Sequence, residues 1–300
     1  MGFKIKNLGT PFRDFTANVG PLNLTAGVPI AELYLGEYAQ ILLSAGKTLA
    51  QVLNEIDEVT VTRRGETIIS IENGSDLAAL ELFPWNDHGF RFTTGGSSEH
   101  YYYIKGLALP YNFPVGVSGE FQLTVETANG AEISSEVLSI AEGQGYYVHN
   151  YFGYQDFLAN KHFHIVKRLF TPAATGWNSG FDIGTEGDLI GLLIFQTTEE
   201  DREVAKTSLS IEQLKLDIGG ETVVLTDSLT MQGRMGSRDT GQSGTTDQSE
   251  EAPKAAIFDQ YVAIDFARQS WDCRGKTVTL SYEAGTADAI RVYPIYLVDA

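Results

Sequence analysis

The sequence predicts an all-β chain of two tandem eight-stranded jelly-roll barrels, with short helices confined to loops. Three features of the 300 residues predict this fold: four sequence blocks recur in the same order, apolar and polar residues alternate with period two, and glycines separate the alternating runs. About eight short strands in roughly 140 residues suit a two-sheet sandwich, for which the jelly roll is the natural candidate. We therefore expect a tandem duplication of one all-β unit.

The internal repeat is clearest in its third block. Residues 56–69 align without a gap to residues 211–224, and four of those 14 positions are identical. The other blocks and their counterparts are 3–11 with 163–172, 22–35 with 181–194, and 123–126 with 280–283, and Ile133 matches Ile290 further on. The offsets of the four blocks run from 155 to 161 residues, a drift that loop insertions between fixed strands would leave.

The repeat places the first jelly roll in residues 1–150 and the second in residues 151–300. Charge divides evenly between them: 8 basic and 17 acidic residues in the first half, 13 and 22 in the second, so each half carries −9. Residues 233–254 are rich in Gly, Ser, Thr and Asp and poor in large apolar residues. We expect this stretch to be an exposed loop inserted into the second unit.

Local patterns assign turns and helices within each unit. Arg64-Gly65 and Gly219-Gly220 fall between alternating runs and predict two tight hairpins. Helical patterning is limited to residues 48–55, residues 75–83 with Ser75 or Asp76 as the N-cap, and residues 154–168. These short pieces fit helices in the loops of a β fold.

Composition excludes several functional classes. A net charge of −18 and a pI near 4.6 argue against nucleic acid as the main partner, because phosphate binding needs clustered Lys and Arg. The single cysteine, Cys273, allows no intrachain disulfide and is expected to be a buried, inert thiol. No stretch approaches the roughly 18 apolar residues of a membrane span, and residues 1–6 lack the apolar run of a signal peptide. We expect a soluble protein made in the cytoplasm.

Catalytic and ligand-binding motifs give only weak signals. The chain has no Gly-x-Ser-x-Gly, Walker or His-Glu-x-x-His motif, so we expect no enzyme and no catalytic or cofactor-binding residues. His162 and His164 would share a face of a strand, either as half of a metal site lacking a third ligand or as part of a basic surface cluster. Acidic runs leave structural Ca²⁺ between subunits open, although none has EF-hand spacing: Asp57-Glu58, 199–201 and Glu250-Glu251. The tyrosine runs Tyr101–Tyr103 and Tyr146-Tyr147 fit a sugar site, or alternating burial and a subunit interface.

Basic residues gather at the start of each unit. They are Lys4, Lys6 and Arg13 in the first unit and Lys161, Lys167 and Arg168 in the second. In an acidic chain, two basic strips at matching positions suggest one face directed at an anionic surface such as a layer of lipid headgroups. The alternative is that these side chains pair with acidic neighbours.

The organisation resembles the double jelly-roll major capsid proteins of membrane-containing icosahedral phages, the corticovirus type above all. The resemblance covers nearly the whole chain and rests on the order of its elements. In the first unit these are the strand 59–62, the Gly65 turn, the strand to Ile71 and the helix 75–82. In the second unit they are the basic, aromatic segment 161–170 and the strands 211–225, 276–283 and 290–298.

The resemblance implies a structural major capsid protein of the virion, made in the host cytoplasm. Three chains would form a pseudo-hexameric homotrimer that tiles an icosahedral shell over an internal membrane. Its partners would be itself, neighbouring trimers, penton and minor capsid proteins and the lipid, with no specific nucleic acid. The alternative function is a tandem β-sandwich spike or lectin that binds a carbohydrate or receptor. An enzyme of the bicupin kind is disfavoured because clustered His ligands are missing.

Overall fold

The fold is described from a computed structural model. The described residues are 4–7, 19–23, 32–35, 39–43, 56–82, 91–95, 99–104, 107–109, 120–127, 137–140, 148–152, 161–195, 211–227, 261–266 and 270–299. These ranges contain 22 strands and one helix. The prediction of an all-β chain is confirmed.

In the described residues of the N-terminal half, six strands precede the helix and six follow it. They are β1 (Lys4–Asn7), β2 (Val19–Asn23), β3 (Glu32–Leu35), β4 (Ala39–Leu43), β5 (Ile56–Arg63), β6 (Glu66–Ile71), β7 (Arg91–Gly95), β8 (Glu99–Ile104), β9 (Leu107–Leu109), β10 (Phe121–Thr127), β11 (Val137–Ile140) and β12 (Val148–Phe152). The helix α1 (Gly74–Leu82) follows β6. It is the one helix among the residues given above.

The C-terminal half is built from strands throughout its described residues. They are β13 (Lys161–Val166), β14 (Arg168–Phe170), β15 (Gly176–Asp182), β16 (Asp188–Phe195), β17 (Ile211–Ile218), β18 (Glu221–Asp227), β19 (Tyr261–Asp265), β20 (Trp271–Asp272), β21 (Val278–Ala284) and β22 (Ile290–Asp299).

The chain divides into two compact units. The first comprises Met1–Phe163, Asp247–Pro253 and Asp299–Ala300, and the second comprises His164–Thr246 and Lys254–Val298. The sequence-based division between residues 150 and 151 stays a prediction. The loop expected at residues 233–254 and the match of Ile133 to Ile290 lie outside the described residues.

Both units have the strand order of a jelly roll. The first contains sheets ordered β1-β12-β3-β9 and β6-β5-β10-β2, and the second contains sheets ordered β13-β22-β16-β19 and β15-β21-β17-β18. In each unit the opening strand lies beside the closing strand, as two interlocked Greek keys require. A further sheet, β11-β4-β8-β7, belongs to the first unit. The predicted tandem jelly-roll fold is confirmed.

The aligned blocks of the repeat also share their strand register. In the first unit, Leu123 lies opposite Leu22 on one side and Val61 on the other. Val61 in turn lies opposite Ile69. The matching positions of the second unit, with the same pairings, are Leu280, Phe181, Leu216 and Val224. Because a slip of one residue would turn every side chain to the other face, the shared register preserves the same core positions in both units.

The two predicted hairpins are confirmed as two-residue turns. Arg64 and Gly65 have φ values of 51° and 87°, and Gly219 and Gly220 have values of 59° and 86°. Positive φ at both positions matches the twist of the flanking strands, and it is costly for a residue with a Cβ. The arginine is held there by Glu120: its N–H donates to the Glu120 carbonyl at 2.7 Å, and its guanidinium lies 3.0 Å from the carboxylate.

The helix predicted at residues 75–83 forms as α1, with a different cap. Asn73 rather than Ser75 or Asp76 is the N-cap, since its Oδ1 accepts a hydrogen bond from the Asp76 N–H at 2.9 Å. The helix predicted at residues 48–55 lies outside the described residues. Of the helix predicted at 154–168, the described part forms strands β13 and β14, so that prediction is wrong. The aromatic and β-branched run 163–166 favours a pleated strand.

The core of the second unit lies between its two sheets. Buried side chains from strands β16 and β22 meet those from strands β17 and β21; they include Leu192, Ile194, Val292, Leu214, Leu216, Leu280 and Tyr282.

Within the described residues, no helix is long and apolar enough to cross a membrane.

Candidate functional site

The β13-β22-β16-β19 sheet is buried on its second face as well. Side chains that alternate with the core positions are at most 1% exposed: Leu193, Phe195, Tyr261, Tyr293 and Ile295. Arg291 also lies on this face, with its guanidinium 3.9 Å from the centroid of the Phe195 ring. That stacking places the cation on the electron-rich ring face and allows a charged side chain to be buried. The middle of this sheet therefore offers no open surface for a ligand.

The β15-β21-β17-β18 sheet has an open, polar outer face. Lys215 Nζ lies 2.7 Å from Asp217 Oδ2, and the Thr222 hydroxyl donates to Asp217 Oδ1 at 2.6 Å. Hydrogen bonds from Lys215 and Thr222 lower the pKa of Asp217 and so favour its ionised form. Gln213 and Glu283 lie opposite each other in the next row of the same face. The described side chains of this face are mainly polar, and most of them are at least partly exposed.

Three large apolar side chains are exposed among the described residues, and all lie in the second unit. They are Trp177 (51% exposed), Leu169 (62%) and Leu225 (65%). Trp177 lies opposite Glu283 on the outer face of one edge strand, and Leu225 lies opposite Lys215 at the other edge of that sheet. Tryptophan is enriched among the few residues that contribute most of the binding free energy of a protein interface. These side chains mark candidate contact points.

The loop before Trp177 is held in one conformation by Asn178. The Asn178 Oδ1 accepts from the Ala173 N–H at 2.8 Å, and its Nδ2 donates to the carbonyls of Ala174 and Gly176, each at 2.8 Å. Gly176 has a φ of 94°, which a residue with a Cβ rarely adopts. The register of β15 with β21 shifts between Asn178 and Phe181, a bulge that makes this edge a poor template for an added strand. The tryptophan is therefore presented on a preorganised support.

Leu169 is exposed on the other sheet, beside basic residues. Phe170 turns inward and stacks on Phe181, with ring centroids 4.7 Å apart, so Leu169 points away from the core. Leu169 follows Lys167 and Arg168 in the chain. It lies opposite Arg291 in the register of β14 with β22.

The structure places five of the six predicted basic residues in or beside strands β1, β13 and β14. Lys4 and Lys6 lie in β1 and Lys161 in β13, while Lys167 lies between β13 and β14 and Arg168 begins β14. Arg13 lies outside the described residues.

Two of these residues are engaged by carboxylates. The Arg168 guanidinium donates to Glu186 Oε1 at 2.9 Å, and Lys161 Nζ lies 3.9 Å from Asp299 Oδ1. At these two positions the structure matches the alternative of pairing with acidic neighbours. The role of the strips at a lipid surface stays a prediction.

The histidine pair lies on strand β13, where residues two apart share a face. His162 is buried, and His164 is partly buried. Burial lowers the pKa of His164; Glu186 opposes this shift and Arg168 adds to it. The described part of the chain contains no group of three or more His, Cys, Asp or Glu side chains that could hold a metal ion.

The lone thiol is buried as predicted. Cys273 is 0% exposed, its S–H donates to the Trp271 carbonyl at 3.3 Å, and burial raises its pKa. A buried thiol with a raised pKa is a poor nucleophile.

The remaining candidates divide between described and undescribed residues. Tyr101–Tyr103 form part of strand β8, opposite residues 40–42 of β4. Glu58 accepts a hydrogen bond from the Ser70 hydroxyl at 2.9 Å, and its neighbour Asp57 is exposed. The acidic runs 199–201 and Glu250-Glu251 and the pair Tyr146-Tyr147 lie outside the described residues.

Sequence reasoning missed the contact points in the second unit. The signal for Trp177 was present in Gly176-Trp177-Asn178-Ser179-Gly180, where a tryptophan lies among glycines and small polar residues. Such surroundings suit an exposed turn rather than a core. Leu169 had no comparable signal, because its neighbours are a basic pair and a buried aromatic residue.

Comparison with known proteins finds similarity in structure alone. No family model and no curated protein sequence matches the chain. Among solved structures, the STIV MCP has a TM-score of 0.70 at 10% identity over 99% of this chain and 97% of that chain; STIV is the Sulfolobus turreted icosahedral virus. The major capsid protein from bacteriophage PM2 has a TM-score of 0.56 at 10% identity over 100% and 98%. The Faustovirus major capsid protein gives 0.50 at 7% over 99% and 90%.

These comparisons cover nearly the full length of both chains. At such low identity they show the fold, which is the double jelly roll. The sequence predicted a fold like that of corticovirus-type capsid proteins in particular. The PM2 capsid protein is among the structures that match.

Proposed function

We propose that this chain is a major capsid protein, a structural subunit that assembles with copies of itself into an icosahedral viral shell. The observation that carries the proposal is the full-length match to the STIV MCP, with a TM-score of 0.70 over 99% of one chain and 97% of the other. The match therefore spans both jelly rolls of this chain. The protein would be located in the virion and made in the host cytoplasm.

The duplication suggests how such a shell is tiled. Two like units in each chain give six like units in a trimer, so a three-fold ring presents a roughly hexagonal outline to its neighbours. The proposed partners are two further copies in the trimer, adjacent trimers, and penton and minor capsid proteins at the vertices. The chain itself needs no catalytic group or cofactor for this role. A Ca²⁺ ion between subunits is tested by comparing assembly with and without a chelator.

The basic strips are the proposed contact with an internal membrane. The candidates are the basic residues that open each unit, of which Lys161 and Arg168 also lie beside carboxylates: Lys4, Lys6, Arg13, Lys161, Lys167 and Arg168. Several such side chains near an anionic surface each contribute about 1 kcal/mol. Reversing Lys4, Lys6, Lys161 and Lys167 to Glu should abolish binding to vesicles that contain anionic lipid. Binding equal to that of the unmodified chain would remove the membrane contact from the proposal.

The assembly state of the purified protein tests the main proposal. Light scattering should give a mass near three times 32.8 kDa, about 98 kDa, for a closed trimer. A spike or lectin, the alternative considered from sequence, is not supported by the structural comparisons, and it would instead show saturable glycan binding. A protein that stays at 32.8 kDa at every concentration, with no larger particles, would contradict the capsid proposal.

A further inference from the structure

We propose that Trp177 and Glu283 form a docking site for a cationic side chain, an arginine or lysine presented by a second, different protein of the shell. The cation would lie on the face of the Trp177 ring and beside the Glu283 carboxylate. The inference rests on the proposed capsid role, because it names the chemistry by which this chain would recognise a minor capsid protein. We call the two side chains the Trp177–Glu283 site.

The two side chains share the outer face of the β15-β21-β17-β18 sheet. They lie directly opposite each other in the register of β15 with β21. Glu283 has the core residues Tyr282 and Ala284 on either side, so both side chains of the site point away from the core. Side chains that are directly opposite in an antiparallel pair have Cβ atoms about 5 Å apart. One cation can therefore contact the ring and the carboxylate together.

The aromatic part of the site is exposed and held in place. The Trp177 side chain is 51% exposed, and Asn178 fixes the loop before it by three hydrogen bonds of 2.8 Å. The electron-rich face of an aromatic ring attracts a cation within about 6 Å of its centre, and tryptophan is the best of the aromatic residues in this respect. A ring on a fixed backbone loses little conformational entropy when a partner binds.

The acidic part of the site is not neutralised by the described residues around it. Among them, the Glu283 carboxylate has no hydrogen bond or ion pair. Lys215, on the same face, is bound to Asp217 at 2.7 Å. Opposite Glu283 on its other side are the exposed side chains of Gln213 and of Glu212, the extra residue of a bulge. The surface beside the ring is therefore negative and complementary to a cation.

A separate protein suits the site better than a second copy of this chain. In the described residues of 56–82 and 161–299, every lysine and arginine already interacts with a group of its own chain. They are Arg63, Arg64, Lys161, Lys167, Arg168, Lys215, Arg274, Lys276 and Arg291. A second copy would have to break one of these contacts to occupy the site, whereas a basic protein brings its own cation. The net charge of −18 also attracts a basic partner and repels a second copy.

The edge strand determines how the partner approaches. The register of β15 with β21 shifts between Asn178 and Phe181, and such a bulge disfavours the addition of another strand at this edge. The partner would therefore contact the site through side chains that reach down onto the sheet face. Recognition would depend on the cation rather than on main-chain hydrogen bonds.

Binding of a fluorescein-labelled tetra-arginine peptide to the full chain tests the site. Fluorescence anisotropy would be measured at about 0.15 M salt, where attraction between distant exposed charges is screened. Trp177→Leu keeps an apolar side chain without the aromatic face, and Glu283→Gln keeps the size without the charge. Each should weaken peptide binding by about threefold or more. Trp177→Phe keeps a weaker aromatic face and should bind between Trp177→Leu and the unmodified chain.

Glu221→Gln is the matched control. Glu221 is an exposed glutamate of the same sheet, in the hairpin after Gly219-Gly220, and its neutralisation removes the same charge away from the ring. It should change peptide binding by less than about 1.5-fold, because it lies far from the site and its charge is screened. Circular dichroism would check that every variant is folded.

Three results would overturn the site. If Glu221→Gln weakens peptide binding as much as the two site variants do, binding follows total charge. If Trp177→Leu binds as well as the unmodified chain, the ring takes no part. If the site variants leave peptide binding unchanged but lower the mass found by light scattering, the occupant is a second copy.

The same measurements separate this inference from the proposed function. If the unmodified chain assembles but its peptide binding does not depend on Trp177 and Glu283, the site is wrong while the capsid role stands. If peptide binding depends on both residues but the chain never associates, the cation site stands. Its assignment to a shell protein then falls together with the capsid role.

Discussion

The two sheets of the second unit differ in how many of their faces are buried. The β13-β22-β16-β19 sheet has apolar residues on both faces, and its strands β16 and β22 carry the nearly continuous runs 189–195 and 292–298. The β15-β21-β17-β18 sheet is covered on one face, and its strand β17 alternates as Ile-Glu-Gln-Leu-Lys-Leu-Asp-Ile. A continuous apolar run therefore indicates a strand covered on both faces, and an alternating run a strand with one face in water.

The largest expected effect comes from the second buried face. Phe195→Ala should lower the free energy of unfolding by about 3–5 kcal/mol, because it leaves a cavity and removes the ring beneath Arg291. Leu225→Ala on the exposed face of the other sheet should change it by about 0.5 kcal/mol or less. Urea unfolding of both variants measures the difference. Equal losses would mean that the two sheets are not covered differently.

A glycine at the start of the doubly covered sheet should be nearly as sensitive. A Cβ added to Gly187 would collide with the backbone carbonyl of Leu297, which cannot move aside as a flexible side chain can. Gly187→Ala should therefore cost about 1–3 kcal/mol. Gly220→Ala, in the hairpin of the other sheet, meets open space but has a φ of 86°, so it should cost about 1 kcal/mol. Thermal melts would rank the two, and a larger loss at Gly220 would contradict the steric argument.

Two buried tyrosines give a smaller and more selective effect. The Tyr296 hydroxyl donates to the Gly184 carbonyl at 2.7 Å, so Tyr296→Phe should lower the free energy of unfolding by about 1 kcal/mol. The Tyr282 hydroxyl is buried without a hydrogen-bond partner among the described residues, and burial raises its pKa to about 12. Tyr282→Phe should therefore be neutral or slightly stabilising. The denaturant midpoint of Tyr296→Phe should lie below that of the unmodified chain. The midpoint of Tyr282→Phe should equal or exceed it.

The smallest effect concerns pH and the strand β13. Burial lowers the pKa of His164 below 6.5, so below pH 6.5 the unfolded chain binds more protons at this position than the folded chain. His164 should therefore reduce stability as the pH falls through 6.5, and His164→Gln should remove that part of the loss. Unfolding curves at pH 7.5 and pH 5.5 for both chains would measure it. An unchanged pH dependence in the variant would exclude His164 as the source.

The sequence predicted the features that depend on local pattern. The register of the repeat around Val61 and Leu216 follows from period-two alternation, and the hairpins follow from Arg64-Gly65 and Gly219-Gly220. These features need only neighbouring residues, so the chain encodes them locally.

Features that depend on distant partners were not predictable in the same way. Residues 161–168 have some helical pattern, yet pairing with β22 makes them strands. The pairing of Lys161 with Asp299 joins positions near the middle and the end of the chain. Trp177 is exposed because a bulge and Asn178 shape its edge strand, and neither is visible in composition.

The lone thiol gives this protein a built-in reporter of local opening. Cys273 is fully buried, its N–H donates to the Gly187 carbonyl at 3.0 Å, and the chain has no second cysteine to confuse the signal. A thiol reagent can modify it only when this corner of the second unit opens. The rate of modification in free subunits and in assembled material would therefore measure how far assembly closes the unit, without any label being introduced.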